Sequence, residues 1–100
     1  MQEISAKELK ALMDAKANFQ LIDVREPHEF DEVNLNGELI PMGEVMDNID
    51  KIAKDKQVVV HCRSGKRSAA VIQALETQHG YNNLYNLKGG ILAYIDEVGM

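Results

Sequence analysis

The chain has 100 residues, 45% of them apolar, and a formal net charge of −5. That length allows one compact domain able to bury roughly 60 to 65% of its unfolded surface, and leaves little room for two. The acidic balance excludes general attraction to nucleic acid or to an anionic membrane surface, no apolar run approaches the roughly 18 to 20 residues of a membrane span, and no basic segment followed by an apolar one reads as a signal peptide. A soluble, cytoplasmic protein over residues 1–100 is expected, and the single cysteine, Cys62, permits no internal disulfide, which agrees with a reducing compartment.

Ser5-Ala6-Lys7-Glu8 is a capping box, with Ile4 before the cap and Leu9 placed to staple against it. Leu9, Leu12 and Met13 continue at helical spacing, so a first helix is expected from about Ala6 to Ala15. Phe19 to Val24 reads as a strand closed by Arg25-Glu26-Pro27, where Pro27 can open a short helix through Phe30. Glu38-Leu39-Ile40 before Pro41 is a short strand candidate, and Val45, Met46, Ile49 and Ile52 fit one face of a helix. Gln57 to His61 is the clearest strand, and its unbroken valines suit a central parallel strand covered on both faces. A helix from about Arg67 to Gln78, rich in alanine and apolar on more than one face, is expected to end at Gly80. Asn83 to Leu87 is a further short strand, and Gly89-Gly90 introduces a last helix carrying Ile91, Leu92, Ile95 and Val98. Strands alternating with helices across short connections imply an α/β domain with a mainly parallel sheet, a fold whose ligands bind beyond the carboxyl ends of the strands.

Cys62 lies at that edge, in His61-Cys62-Arg63-Ser64-Gly65-Lys66-Arg67-Ser68. A strand that stops at a cysteine and turns through a glycine-containing loop into a helix aims backbone N–H groups and a helix N-terminus at the sulfur. Free cysteine ionises near pH 8.5, and such surroundings lower this to roughly 3.5 to 7.5, which suits a nucleophile. Three of the eleven Lys and Arg residues, Arg63, Lys66 and Arg67, fall beside the cysteine, so a small anion is the natural guest of this otherwise acidic chain. Arg63 and Arg67 can donate paired hydrogen bonds to an oxyanion, Lys66 offers a point charge, and Gly65 permits a positive φ or a close backbone approach. Ser64 and Ser68 can hydrogen-bond the sulfur or cap the helix. By alternation His61 points away from Cys62 and reads as a packed strand residue, and His28 and His79 have no ligand-like spacing, so no metal is expected. Asp23 and Arg25 are placed for an ion pair that holds loops together, with Asp23 as a general acid the alternative.

The segment Asp23-Val24-Arg25-Glu26 before Glu29-Phe30, the loop Cys62 to Ser68, and Gly89-Gly90-Ile91 ahead of Ala93 closely resemble single-domain rhodaneses over nearly the whole chain. The resemblance implies an α/β rhodanese-like fold with a five-stranded, mainly parallel sheet flanked by helices on both faces. It also implies that Cys62 accepts a sulfane sulfur as a persulfide, cradled by Arg63, Ser64, Gly65, Lys66, Arg67 and Ser68. The expected reaction is sulfur transfer from thiosulfate or a similar anionic donor to a thiol, cyanide or a partner protein, by a monomer or weak homodimer, with no cofactor. Two departures stand out. Many relatives carry His-Ile-x-Gly-Ala where this chain has Asn34-Leu35-Asn36-Gly37-Glu38, and Tyr94 replaces a common tryptophan. Related phosphatases and arsenate reductases use a longer cradle around a tetrahedral oxyanion. Here four residues separate Cys62 from Arg67, a ring better suited to one sulfur atom. A non-catalytic binding or sulfur-carrier module is a further reading, weakened by the retained cysteine, and a thiol redox sensor would lack a resolving partner.

Overall fold

The computed structural model describes residues Met1–Met100. Five strands, β1 (Gln2–Ile4), β2 (Phe19–Asp23), β3 (Glu38–Leu39), β4 (Gln57–His61) and β5 (Leu84–Leu87), form one sheet in the order β1-β5-β4-β2-β3. Every neighbouring pair is parallel. The helices are α1 (Ala6–Asp14), α2 (Pro27–Glu32), α3 (Lys66–His79) and α4 (Gly90–Glu97).

β4 lies in the middle of the sheet, and its valines divide between two cores. Val58 and Val60 join Ile22, Val71, Ile72 and Leu75 beneath α3, and Cys62 lies on that same side. Val59 faces the other way, among Leu9, Leu87, Ile91 and Tyr94, where α1 and α4 pack together. Alternation along one fully covered strand thus puts Cys62 on the α3 side and His61 on the other.

Local chemistry sets the helix ends. The Ser5 hydroxyl accepts from the Glu8 amide at 3.0 Å while the Glu8 carboxylate accepts from the Ser5 amide at 2.9 Å, so two otherwise orphaned donors at the start of α1 are satisfied. α3 stops at Gly80, whose φ of 67° is left-handed and whose N–H returns to the Leu75 carbonyl.

Two elements differ from the sequence reading. β1 was absent from the pattern: only Ile4 of its three residues is buried, and its pairing to β5 spans nearly the whole chain. The predicted helix carrying Val45, Met46, Ile49 and Ile52 is two 3-10 segments, Met42–Asp47 and Ile49–Lys51, broken at Asn48, whose φ and ψ of −130° and 28° are not helical. Val45 and Ile52 are buried there, but Met46 is exposed. α4 follows Gly89 as expected, and its core face is Gly90, Ile91 and Tyr94, with Leu92 and Ile95 on the surface.

Candidate functional site

The chain leaves β4 at His61 and immediately curls around the Cys62 sulfur. The amide of Gly65 donates to Sγ at 3.1 Å and that of Ser68 at 3.4 Å, with the Ser68 hydroxyl 3.4 Å away. This inward turn of the amides leaves the carbonyls facing out, where each must find a donor. The Cys62 and Arg63 carbonyls accept from the Ile91 and Leu92 amides at 2.9 and 3.1 Å, so the first turn of α4 clamps the loop from outside. The Gly65 carbonyl takes the Ala69 amide and the Asn86 side-chain amide. Gly65 itself has φ 102°, a conformation that an L side chain strains to adopt, and this bend brings its N–H over the sulfur.

Two opposing effects act on the thiol. Cys62 exposes no surface, and burial alone would push its pKa up. The Ser68 hydroxyl and the amides of Ser68, Gly65 and Ser64 together outweigh that penalty, and the thiol ionises below its ordinary value. A preorganised ring of main-chain dipoles can solvate a sulfur anion without water.

The expected cations divide into two kinds. Arg63 and Lys66 are exposed and take part in no ion pair. Arg67 is engaged: its two Nη atoms donate to the two carboxylate oxygens of Glu29 on α2, at 2.8 and 2.9 Å. The fork expected to hold an oxyanion therefore holds a side chain of the protein. Of the two serines, Ser68 is fully buried against the sulfur, whereas Ser64 is exposed and contributes its amide.

On the far face of the sheet, Asp23 and Arg25 form the expected ion pair, fully buried. Arg25 donates through Nε and Nη2 to both Asp23 oxygens, at 3.0 and 2.8 Å, and through Nη2 to the Val33 carbonyl at 2.7 Å. It thereby ties the end of β2 to the segment after α2. His61 pairs in register with Asp23, and its Nε2 lies 3.6 Å from Asp23 Oδ2. Burial holds the histidine below its usual pKa against the opposing pull of Asp23, so the neutral form is favoured. Both Asp23 oxygens are engaged by Arg25, and the side chain exposes no surface.

Three contributors escaped the sequence reading of the site. Asn86 sits on β5, buried between Leu87 and Tyr85 in sequence, and accepts from Ser68 while donating to Gly65. Its one signal was a polar residue inside an apolar strand. Glu29 had the position of a helix-capping residue, and its Oε1 does accept from the Glu26 amide at 3.0 Å. Gly90 has φ 64°, and a Cβ there would strike the Cys62 and Arg63 carbonyls. The two departures from the expected pattern are absorbed locally. Asn34 donates to the Phe30 carbonyl at 3.0 Å and accepts from the Asn36 amide at 2.8 Å, and Tyr94 fills the α1/α4 core with its hydroxyl 3.8 Å from Met13 Sδ.

Two cavities, of about 370 and 430 Å³, are lined by Ser5, Ala6, Lys88, Gly89, Ala93 and Glu97 and by residues around Gln20 and Lys51. The cysteine loop opens into neither cavity, and Cys62 itself exposes no surface.

A parallel α/β sheet with a cysteine ringed by amides at the carboxyl end of its central strand defines a thiol-centred α/β domain. The chain belongs to the rhodanese-like domain family, whose model matches residues 5–97. A protein named "Sulfurtransferase" from Allochromatium vinosum is 34% identical over 94% of this chain and 88% of its own length. "Probable adenylyltransferase/sulfurtransferase MoeZ" of Mycobacterium tuberculosis is 33% identical over 95% of this chain, which spans only 25% of that longer protein. The crystal structure of a rhodanese-like domain protein from Staphylococcus aureus superposes with a TM-score of 0.85 at 32% identity, covering 98% of this chain and 95% of that one.

Proposed function

We propose that the protein is a sulfurtransferase that carries a sulfane sulfur as a persulfide on Cys62. The Cys62 thiolate attacks the outer sulfur of thiosulfate or a similar anionic donor. A new S–S bond forms, the donor's S–S bond breaks, and sulfite leaves with the bonding electron pair. A thiolate or cyanide then attacks the outer sulfur of the persulfide, taking it and returning Cys62 as thiolate. No electrons are gained or lost by the protein across the cycle, and ping-pong kinetics follow from the covalent intermediate.

The observation that carries this reading is the cradle: the Gly65 and Ser68 amides at 3.1 and 3.4 Å from Sγ, in a loop with four residues between Cys62 and Arg67. Donors arranged around one sulfur stabilise an anion of that size. In this assignment the amides of Ser64, Gly65 and Ser68 hold the sulfur, and Arg63 and Lys66 meet the anionic end of the donor. Arg67 secures the loop and adds its charge. Because Cys62 exposes no surface, the loop must yield slightly to admit a donor. The lone cysteine suits a cytoplasmic setting with a thiol or protein thiol as acceptor.

Intact-mass spectrometry after thiosulfate treatment tests the reading. The wild type is expected to gain one sulfur atom, removable by cyanide, and Cys62→Ser to gain none. Hydrolysis of aryl phosphates with no sulfur uptake would replace this reading with a phosphatase.

A further inference from the structure

The fork of Arg67 is already full. Its Nη1 and Nη2 donate to Oε1 and Oε2 of Glu29 at 2.8 and 2.9 Å, the two-point grip by which a guanidinium binds an oxyanion. The carboxylate does not swing freely, since Oε1 also accepts the Glu26 amide in the capping box that starts α2. Glu29 is thus a built-in anion, aimed by its own helix at a cation in the cysteine loop. Arg67 immediately precedes Ser68, whose amide and hydroxyl both lie 3.4 Å from Sγ, so the fork springs from the loop that rings the reactive sulfur. Arg63 and Lys66 are exposed and unpaired.

We propose that Glu29 is a specificity-determining residue of the sulfur-transfer site: by filling the Arg67 fork it keeps tetrahedral oxyanions such as sulfate and phosphate from seating over Cys62. This rests on the sulfurtransferase reading above and deepens it. An oxyanion that takes the fork must first displace a carboxylate bound at two points, exchanging one charge-assisted pair for another with little gain. A sulfane donor has no such need, because it presents its outer sulfur to Sγ while Arg63 and Lys66 hold its anionic end. The short loop and the occupied fork then act in the same direction, one by size and the other by charge.

The test reads protection of Cys62 from alkylation by iodoacetamide as inorganic phosphate or sulfate is added, a measurement that needs no sulfur transfer. In Glu29→Gln the half-protecting phosphate concentration is expected to fall about tenfold, the effect of one freed charge-assisted pair. The double variant Glu29→Gln/Arg67→Gln is expected to lose that gain. Glu29→Asp, which keeps the charge but withdraws it by one methylene, is expected to fall between, and it carries the test should Glu29→Gln fail to fold. A residue that merely tied α2 to the loop would give the opposite sign, since a loosened loop binds anions less well. Unchanged or weaker protection in the Glu29 variants overturns the proposal, as does a gain that survives loss of Arg67. Sulfur uptake by the wild type, measured in parallel, decides the sulfurtransferase reading separately.

Discussion

Ser68 has one hydroxyl proton and three acceptors within reach: the Cys62 sulfur at 3.4 Å, the Gly65 carbonyl at 3.2 Å and the Asn86 side-chain oxygen at 2.5 Å. While Cys62 is a thiol, its S–H can donate to Ser68 and the hydroxyl can rest on Asn86. Once Cys62 ionises, the hydroxyl gains most by turning to the sulfur, because a bond to a charged acceptor is stronger than one to an amide. Ser68→Ala removes this donor and leaves the amides, so the Cys62 pKa is expected to rise as the anion loses one hydrogen bond. The pH dependence of alkylation rate measures it, and an unchanged profile would mean that the main chain alone supports the anion. Gly90 tests the outer clamp. Alanine there meets both a φ of 64° and the Cys62 carbonyl, 2.7 Å from the new Cβ. Gly90→Ala is expected to cost more than the roughly 1–3 kcal/mol of backbone strain alone, because the new Cβ also overlaps the Arg63 and Cys62 carbonyls. It should also slow alkylation as the loop is pushed off its carbonyl anchors, both effects being readable from urea melts and rates on the same sample.

At the scale of elements, the buried Asp23–Arg25 pair joins β2 to the segment beyond α2. Arg25→Met strands a buried carboxylate and is expected to cost about 3–5 kcal/mol, whereas Asp23→Leu/Arg25→Met should recover much of the loss, because the desolvated charge goes with its partner. Denaturation of the two variants decides it; a double variant no better than the single one would show that the Asp23 carboxylate matters for more than its pairing with the guanidinium, namely for accepting the Arg25 backbone amide at 3.0 Å. This pair was legible in the sequence since both residues flank the end of a strand one residue apart. The same holds for α1, whose capping box is contiguous, for α3, closed by Gly80, and for the placement of His61 opposite Cys62, which needs only strand alternation. What the sequence hid depends on distance along the chain. β1 is defined by its ladder with β5, and three residues with one buried side chain carry no period of their own. The 3-10 segments kept their apolar spacing but lost the helix at Asn48, whose side-chain amide donates to the Glu44 carbonyl at 2.7 Å, a local bond that competes with the helical ladder and that apolar spacing does not reveal. At the site, the cysteine loop could be read because its parts are consecutive. Glu29 and Asn86 could not, because they reach the loop from 38 and 18 residues away in sequence.

Acid sensitivity is a property of the whole molecule, since every titrating group contributes through the difference between its folded and unfolded pKa. Two groups set opposite ends of the expected profile. His61 is held below its ordinary value of 6.5, first by burial and further by Arg25, with Asp23 and the Cys62 carbonyl opposing. The unfolded chain therefore takes up this proton at higher pH than the folded one. Its contribution is complete above about pH 6.5 and is lost as pH falls through the lowered folded value. Glu29 is held at about 2, first by the Arg67 hydrogen bonds, against an ordinary value of 4.5. Here the unfolded carboxylate protonates first, so the stabilisation is complete above about pH 4.5 and fades as pH falls toward 2. The pair is partly exposed, and solvent screening holds its share to about 1 kcal/mol. Urea denaturation between pH 8 and pH 3 is expected to show stability declining in two stages, the first below about pH 6.5 and the second below about pH 4.5. His61→Gln should flatten the first stage and leave the second, and Glu29→Gln should do the reverse. Both groups feel the charge of Arg25, so their effects are expected to couple, rather than simply add, in the double variant. A first stage that persists without His61 would place the acid-sensitive group elsewhere in the chain.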